Sequence, residues 1–98
     1  MILAVVFRPE AEEELVAARD WYEMQLAGLG DDFVAEVYEA IGRIAEYPQA
    51  GAVVYRAVRR QLVHRYPHVI LYISGVDRVV VLAVYHGRRS PDGWRDRL

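Results

Sequence analysis

The stretch "VYHGRRSPDGW", Val84 to Trp94, holds the densest chemistry in the chain. Val79 to Tyr85 is seven residues without a charge, after which His86, Arg88 and Arg89 arrive almost together. Histidine titrates near neutrality and can pass a proton. Neighbouring guanidiniums can grip a phosphate or a carboxylate in bidentate fashion. Three readings fit these residues: catalysis, anion binding, and plain solvation of a strand terminus.

More cations precede them in "VRRQLVHRY". On a strand, Arg59, Gln61, Val63 and Arg65 share one face, and Arg60, Leu62, His64 and Tyr66 share the other. Together with His86, Arg88 and Arg89 they could build a basic surface with aromatic edges. The competing reading is a strand rim kept soluble by charge and guarded against edge pairing.

Other constellations carry less. His64 and His68 are four apart, a spacing that suits one side of a helix but not a strand interrupted by Pro67. With no cysteine in the chain, a thiolate site is excluded, and no metal or cofactor is expected. Glu10, Glu12, Glu13 and Glu14 read as a solvated first helical turn, where the helix dipole favours anions. Trp21, Tyr22 and Tyr38 sit at packing spacing and read as core. Gly28 and Gly30 follow no strand, so they read as turn residues rather than a phosphate loop. Neither a Ser–His–Asp arrangement nor a dinucleotide fingerprint is present.

The elements that must position these residues follow from periodicity. "ILAVVF" (Ile2–Phe7) reads as a buried strand, ended by Arg8-Pro9, with Pro9 suited to a first helical turn. Ala11, Leu15, Ala18, Tyr22 and Leu26 form one helical stripe, and Phe33, Val37, Ile41 and Ile44 a second. Asp31 or Asp32 is placed to cap the second helix, and Pro48 with Gly51 stops it. The short break predicts a helical hairpin. Then the period changes: strands are predicted over Ala57–Tyr66, His68–Ser74 and Val79–His86, the last apolar on both faces and so interior to a sheet. A short helix is expected after Pro91. The fold class is α+β, ordered β-α-α-β-β-β, with the hairpin on a mostly antiparallel four-stranded sheet.

Composition bounds the rest. Ninety-eight residues, 54% hydrophobic, make one domain spanning 1–98. The N-terminus lacks the basic lead and long apolar core of a signal peptide, and no run approaches a membrane span, so a cytoplasmic protein without membrane contact is expected. All twelve basic residues are arginine. Residues 1–50 hold eleven acids and three arginines, whereas residues 51–98 hold nine arginines and three acids. That asymmetry points the second half toward an acidic partner or a phosphate surface.

Taken together, "DWYEMQLAGLGDDFVAEVYEAIGRIAEYPQAG", "VRRQLVHRYPHVILYI" and "VVVLAVYHGRRSPDGW" resemble the RelE/ParE toxins of bacterial type II toxin–antitoxin modules, also called plasmid stabilisation proteins. The resemblance runs from the first strand to Trp94. It rests on an ordered set: Trp-Tyr ending the first helix, Gly-Leu-Gly then Phe between helices, Tyr-Pro-x-x-Gly after the second, and the closing His-Gly-Arg-Arg-x-Pro-x-x-Trp.

The resemblance implies a growth-inhibiting toxin held neutral by a cognate antitoxin that offers an acidic and apolar segment. It implies DNA contact only through that antitoxin. Members divide by target. The RelE-like branch cleaves mRNA on the ribosome with a basic sheet face; the ParE-like branch poisons DNA gyrase. Val69 stands where the nucleases carry an arginine, and the lysines of a nuclease face are absent. The expectation is therefore a ParE-like binding poison, not an enzyme, with Arg59, Arg65, Arg88, Arg89 and Trp94 as target- or antitoxin-binding residues. The alternatives are an mRNA endonuclease using His86, Arg88, Arg89 and Arg65, and an inactive member kept as a binding module.

Overall fold

A computed structural model describes residues 2–89 and 92–98. Strand β1 (Ala4–Phe7) leads into helix α1 (Pro9–Gln25), which turns back as helix α2 (Leu29–Glu46). Strands β2 (Ala52–Tyr55), β3 (Val58–Leu62), β4 (His68–Ser74) and β5 (Arg78–His86) follow, and a 3₁₀ helix (Asp92–Arg97) ends the chain. The strands form one sheet in the order β1-β5-β4-β3-β2. β1 runs parallel to β5, and every other neighbouring pair is antiparallel. The α+β class and the hairpin on a mostly antiparallel sheet agree with the sequence reading.

The differences have local causes. The sheet has five strands, not four, because Ala52–Tyr55 pairs with β3 immediately after α2 stops. β1 begins at Ala4 rather than Ile2, since the Leu3 N–H is drawn to Ala45 C=O on α2. β3 ends at Leu62, short of Tyr66; Val63 N–H donates to His68 C=O, and Arg65 turns through the left-handed region at φ 69°. Of the terminal helix, Asp92–Arg97 is observed, whereas Pro91 lies outside the described residues.

Pro9 opens α1 as its spacing predicted, with Arg8 extended ahead of it and the Arg8 N–H donating to Val81 C=O. The cap of α2 is not Asp31 or Asp32. Its N-cap is Gly28 at φ 90°, a conformation glycine adopts without steric cost, and Glu23 on α1 accepts the Gly28 and Gly30 N–H groups at 2.9 and 3.0 Å. A carboxylate on the first helix thus satisfies donors that begin the second.

The main core lies between the hairpin and the sheet. Ala11 and Leu15 of α1 and Phe33, Val37, Ala40 and Ile44 of α2 pack on Ile70, Tyr72, Val79, Val81 and Val84. Burying each large side chain contributes about 1.5–3 kcal/mol. Several expected core positions are not core: Trp21 and Tyr38 are 58% and 57% exposed, and Leu26 lies past the end of α1, also exposed. β1 is a sheet edge with Ala4 and Val6 exposed rather than a buried strand. The opposite sheet face carries its own apolar layer, Val58, Val69, Leu71, Leu82 and Ala83, covered by Trp94.

An irregularity in β5 decides which face its last residues take. Leu71 pairs with Ala83 and Tyr72 with Val81, leaving Leu82 as an extra residue, a β-bulge. The bulge moves every later side chain to the other face relative to a regular strand. Val84 accordingly joins the helix-side core, while Ala83 and Tyr85 join the Trp94 side.

Candidate functional site

β5 emerges from the core at His86 and turns at once. The Arg89 N–H donates to His86 C=O at 2.9 Å, and the Arg88 N–H donates to His86 Nδ1 at 3.1 Å. The chain therefore turns at Gly87, and Arg88 and Arg89 sit on a loop rather than on opposite faces of a strand.

Beside this turn lies a cleft of about 690 Å³. Ala17, Trp21 and Tyr22 of α1 form one wall, Trp94 and Arg97 of the terminal helix another, and the end of β5 the floor, with Arg89 at the His86 end. Of the residues singled out from sequence, His86, Arg89 and Trp94 meet here. Arg88 is exposed on the turn and does not line the cleft.

The other two arginines are engaged elsewhere. Arg59 donates to Gln49 C=O, Gly51 C=O and Gln49 Oε1 at 2.9, 2.7 and 2.8 Å, fixing the loop after α2. Arg65 donates to Glu36 at 2.7 Å and to both oxygens of Asp32, tying the β3–β4 turn to α2. The Tyr66 hydroxyl donates to the same Asp32 and, with Arg65, holds that carboxyl below the usual range. Burial, and then Asp32, pushes the Tyr66 hydroxyl up to about 12. Trp94 is only 6% exposed; its ring meets Tyr55 at 5.6 Å, and the Arg95 guanidinium lies over both rings.

Sequence reasoning missed three residues that shape the cleft. Glu14 is not simply solvated: it accepts the Val84 N–H at 3.1 Å and pairs with Arg97 at 2.8 Å. Arg97 also donates to Leu82 C=O at 2.9 Å. His68, at 8% exposure, is the buried polar residue of the sheet. Its ring packs among Tyr22, Phe33 and His86, with the Tyr22 hydroxyl 3.4 Å from Nδ1. Burial first, then the nearby His86 and Arg89, lower its pKa to about 4, so it is neutral at physiological pH. The only advance signal was the run of Glu10–Glu14 with more carboxylates than a first turn needs.

Two neighbouring imidazoles and an arginine can bind an anion or exchange a proton. Among the described residues no group of three or more histidines, cysteines or carboxylates is gathered as a metal would require. No helix among them is long and apolar enough to cross a membrane.

Comparison with known proteins places this geometry in context. A family model described as "ParE toxin of type II toxin-antitoxin system, parDE" matches residues 5–91. Among solved structures, one titled "Chromosomal ParDE TA system from P. aeruginosa" superposes with a TM-score of 0.76 at 16% identity, covering 87% of this chain and 96% of that chain. At that identity the likeness speaks to the fold. The search of curated proteins returned no match.

Proposed function

The chain belongs to the ParE toxin family of type II toxin–antitoxin systems, and from that premise we propose that it is a cytoplasmic inhibitor of DNA gyrase, neutralised by a cognate antitoxin. The observation that carries the choice of target is the sheet face turned away from the helices. Its centre is apolar, with Val69, Leu71 and Ala83 under Trp94. An RNA-cleaving face needs that ground open and basic, because phosphate recognition relies on guanidinium and ammonium groups. A binding poison needs only a shaped surface.

A second reading, mRNA cleavage, draws on the cleft: neutral His68 beside His86, with Arg89 in the same cleft, has the elements of general acid–base chemistry. Induction without antitoxin separates the two. Gyrase poisoning produces a DNA-damage response and filamentation while bulk mRNA stays intact. Rapid transcript cleavage on ribosomes without DNA damage would overturn the gyrase reading. Co-expression with the product of the adjacent small reading frame should restore growth and yield a complex.

A further inference from the structure

β5 is nine residues long, and its two neighbours cover it unequally. β4 pairs with it as far as His86, whereas β1 stops at Val81. From Leu82 onward the strand therefore has a bare edge. Two groups on that edge are bonded by side chains: Leu82 C=O by Arg97, and the Val84 N–H by Glu14. A guanidinium and a carboxylate, paired with each other, stand where a neighbouring strand would place an amide and a carbonyl.

Further along, the edge is open. Gly87 N–H donates to Pro67 C=O, so residues 85 and 87 bond toward β4 while 84 and 86 turn their backbone groups away from it. Val84 C=O and His86 N–H thus face the cleft, and no backbone or side-chain group among the described residues bonds either of them. An antiparallel strand would use the N–H and C=O of one residue, but the Val84 N–H is held by Glu14 and His86 C=O by Arg89. The free acceptor and donor lie on residues two apart, about 7 Å along the strand. That is the pattern a parallel strand satisfies with a single residue, and β1 is already parallel to β5.

We propose that this cleft receives an extended segment of the antitoxin, laid parallel to β5 on the line that β1 vacates at Arg8. One residue opposite Tyr85 donates its N–H to Val84 C=O and accepts the His86 N–H. Its side chain falls on the Tyr85 and Trp94 side, and its neighbours' fall toward Ala17 and Trp21. Arg89, at the His86 end, meets a carboxylate of the segment, in keeping with the excess of arginine in this half of the chain. The strand supplies affinity through its backbone, and the two walls supply selectivity through side chains. This proposal rests on neutralisation by an antitoxin, as proposed for the family member.

The test uses the full-length toxin and the product of the adjacent reading frame. On complex formation, the exchange of the His86 amide proton should slow at least tenfold. Ala17→Trp, at an exposed helix position lining the cleft, should weaken antitoxin binding at least tenfold with an unchanged melting temperature. His86→Pro, which deletes an N–H that β4 does not use, should weaken it several-fold. If the complex forms with unaltered affinity in Ala17→Trp and the His86 amide stays unprotected, the segment lies elsewhere and the proposal fails, while neutralisation stands. If the parent toxin gives no complex, the neutralisation reading fails and takes this proposal with it.

Discussion

The Tyr22 hydroxyl and His68 Nδ1 meet 3.4 Å apart where α1 crosses the start of β4, and they join the helical hairpin to the sheet beside the cleft. The imidazole there is neutral in the fold, with a pKa lowered from 6.5 to about 4 by burial first and then by the neighbouring His86 and Arg89. Between those values the unfolded chain binds the proton and the native chain does not. His68 therefore costs no stability above pH 6.5, and stability falls as pH drops from 6.5 toward 4. The expected loss is on the order of 3 kcal/mol. Urea denaturation at a series of pH values should show this slope, and His68→Phe, which keeps an aromatic ring in the box, should remove most of it.

Gly51 offers a test of the loop after α2. Its N–H donates to the Tyr72 hydroxyl at 3.2 Å, which in turn donates to Pro48 C=O at 2.9 Å. A Cβ at Gly51 would strike that hydroxyl and would lie 2.6 Å from Arg60 C=O. Gly51→Ala should destabilise by about 1–3 kcal/mol through overpacking. Tyr72→Phe should cost a similar amount by leaving a buried amide and carbonyl without their partner. Thermal melts of the two variants check both.

The Glu14–Arg97 pair is expected to matter for the backbone it serves rather than for its own attraction. Arg97→Met removes the donor to Leu82 C=O and leaves Glu14 without its cation. A loss of about 1–3 kcal/mol follows from the stranded groups, and exchange of the Val84 amide should rise as the carboxylate loosens. An unchanged melt would mean that water replaces the guanidinium at no cost.

Arg88 and Arg89 should separate cleanly. Arg89 lines the cleft and Arg88 does not. Arg89→Ala is expected to cost antitoxin binding about 2–5 kcal/mol, the range for a charge pair desolvated by its partner, and Arg88→Ala far less. Titration calorimetry on the two variants measures the difference. Equal and small effects would assign both to solubility.

Much of the fold was legible because it rests on periodicity. The second stripe, Phe33, Val37, Ile41 and Ile44, is buried at every position, and His68–Ser74 is a strand from end to end. The misses arose where distant groups overrode local preference. Asp31 and Asp32 carry good capping side chains, but Glu23 reached the amides first. Trp21 keeps its helical spacing yet projects over an open cleft, where no second layer meets it. At the site, His86 and Arg89 were visible as a local cluster. Glu14, His68 and Arg97 were not, because their partners lie 70, 46 and 83 residues away in sequence.

The bulge at Leu82 has a consequence for how this protein can vary. Upstream of it β5 alternates in step with the core; downstream it runs half a period out of phase, which is why His86 sits beside Tyr22 and His68 instead of under Trp94. Ironing the bulge out without losing a residue would drive Tyr85 beneath α1 and carry His86 to the opposite face, whereas deleting Leu82 itself would leave every later side chain on its present face. A change of length by one residue between the bulge and His86 would reverse the side chains that follow it, so within this strand the chain can shorten only at Leu82. Exchange of residue identity at His86, Arg88 and Arg89 remains open, since nothing upstream of the bulge depends on it, whereas at Gly87 a Cβ would lie 3.1 Å from Pro67 C=O. The partner-facing tip can drift toward new specificities while the strand that carries it stays fixed.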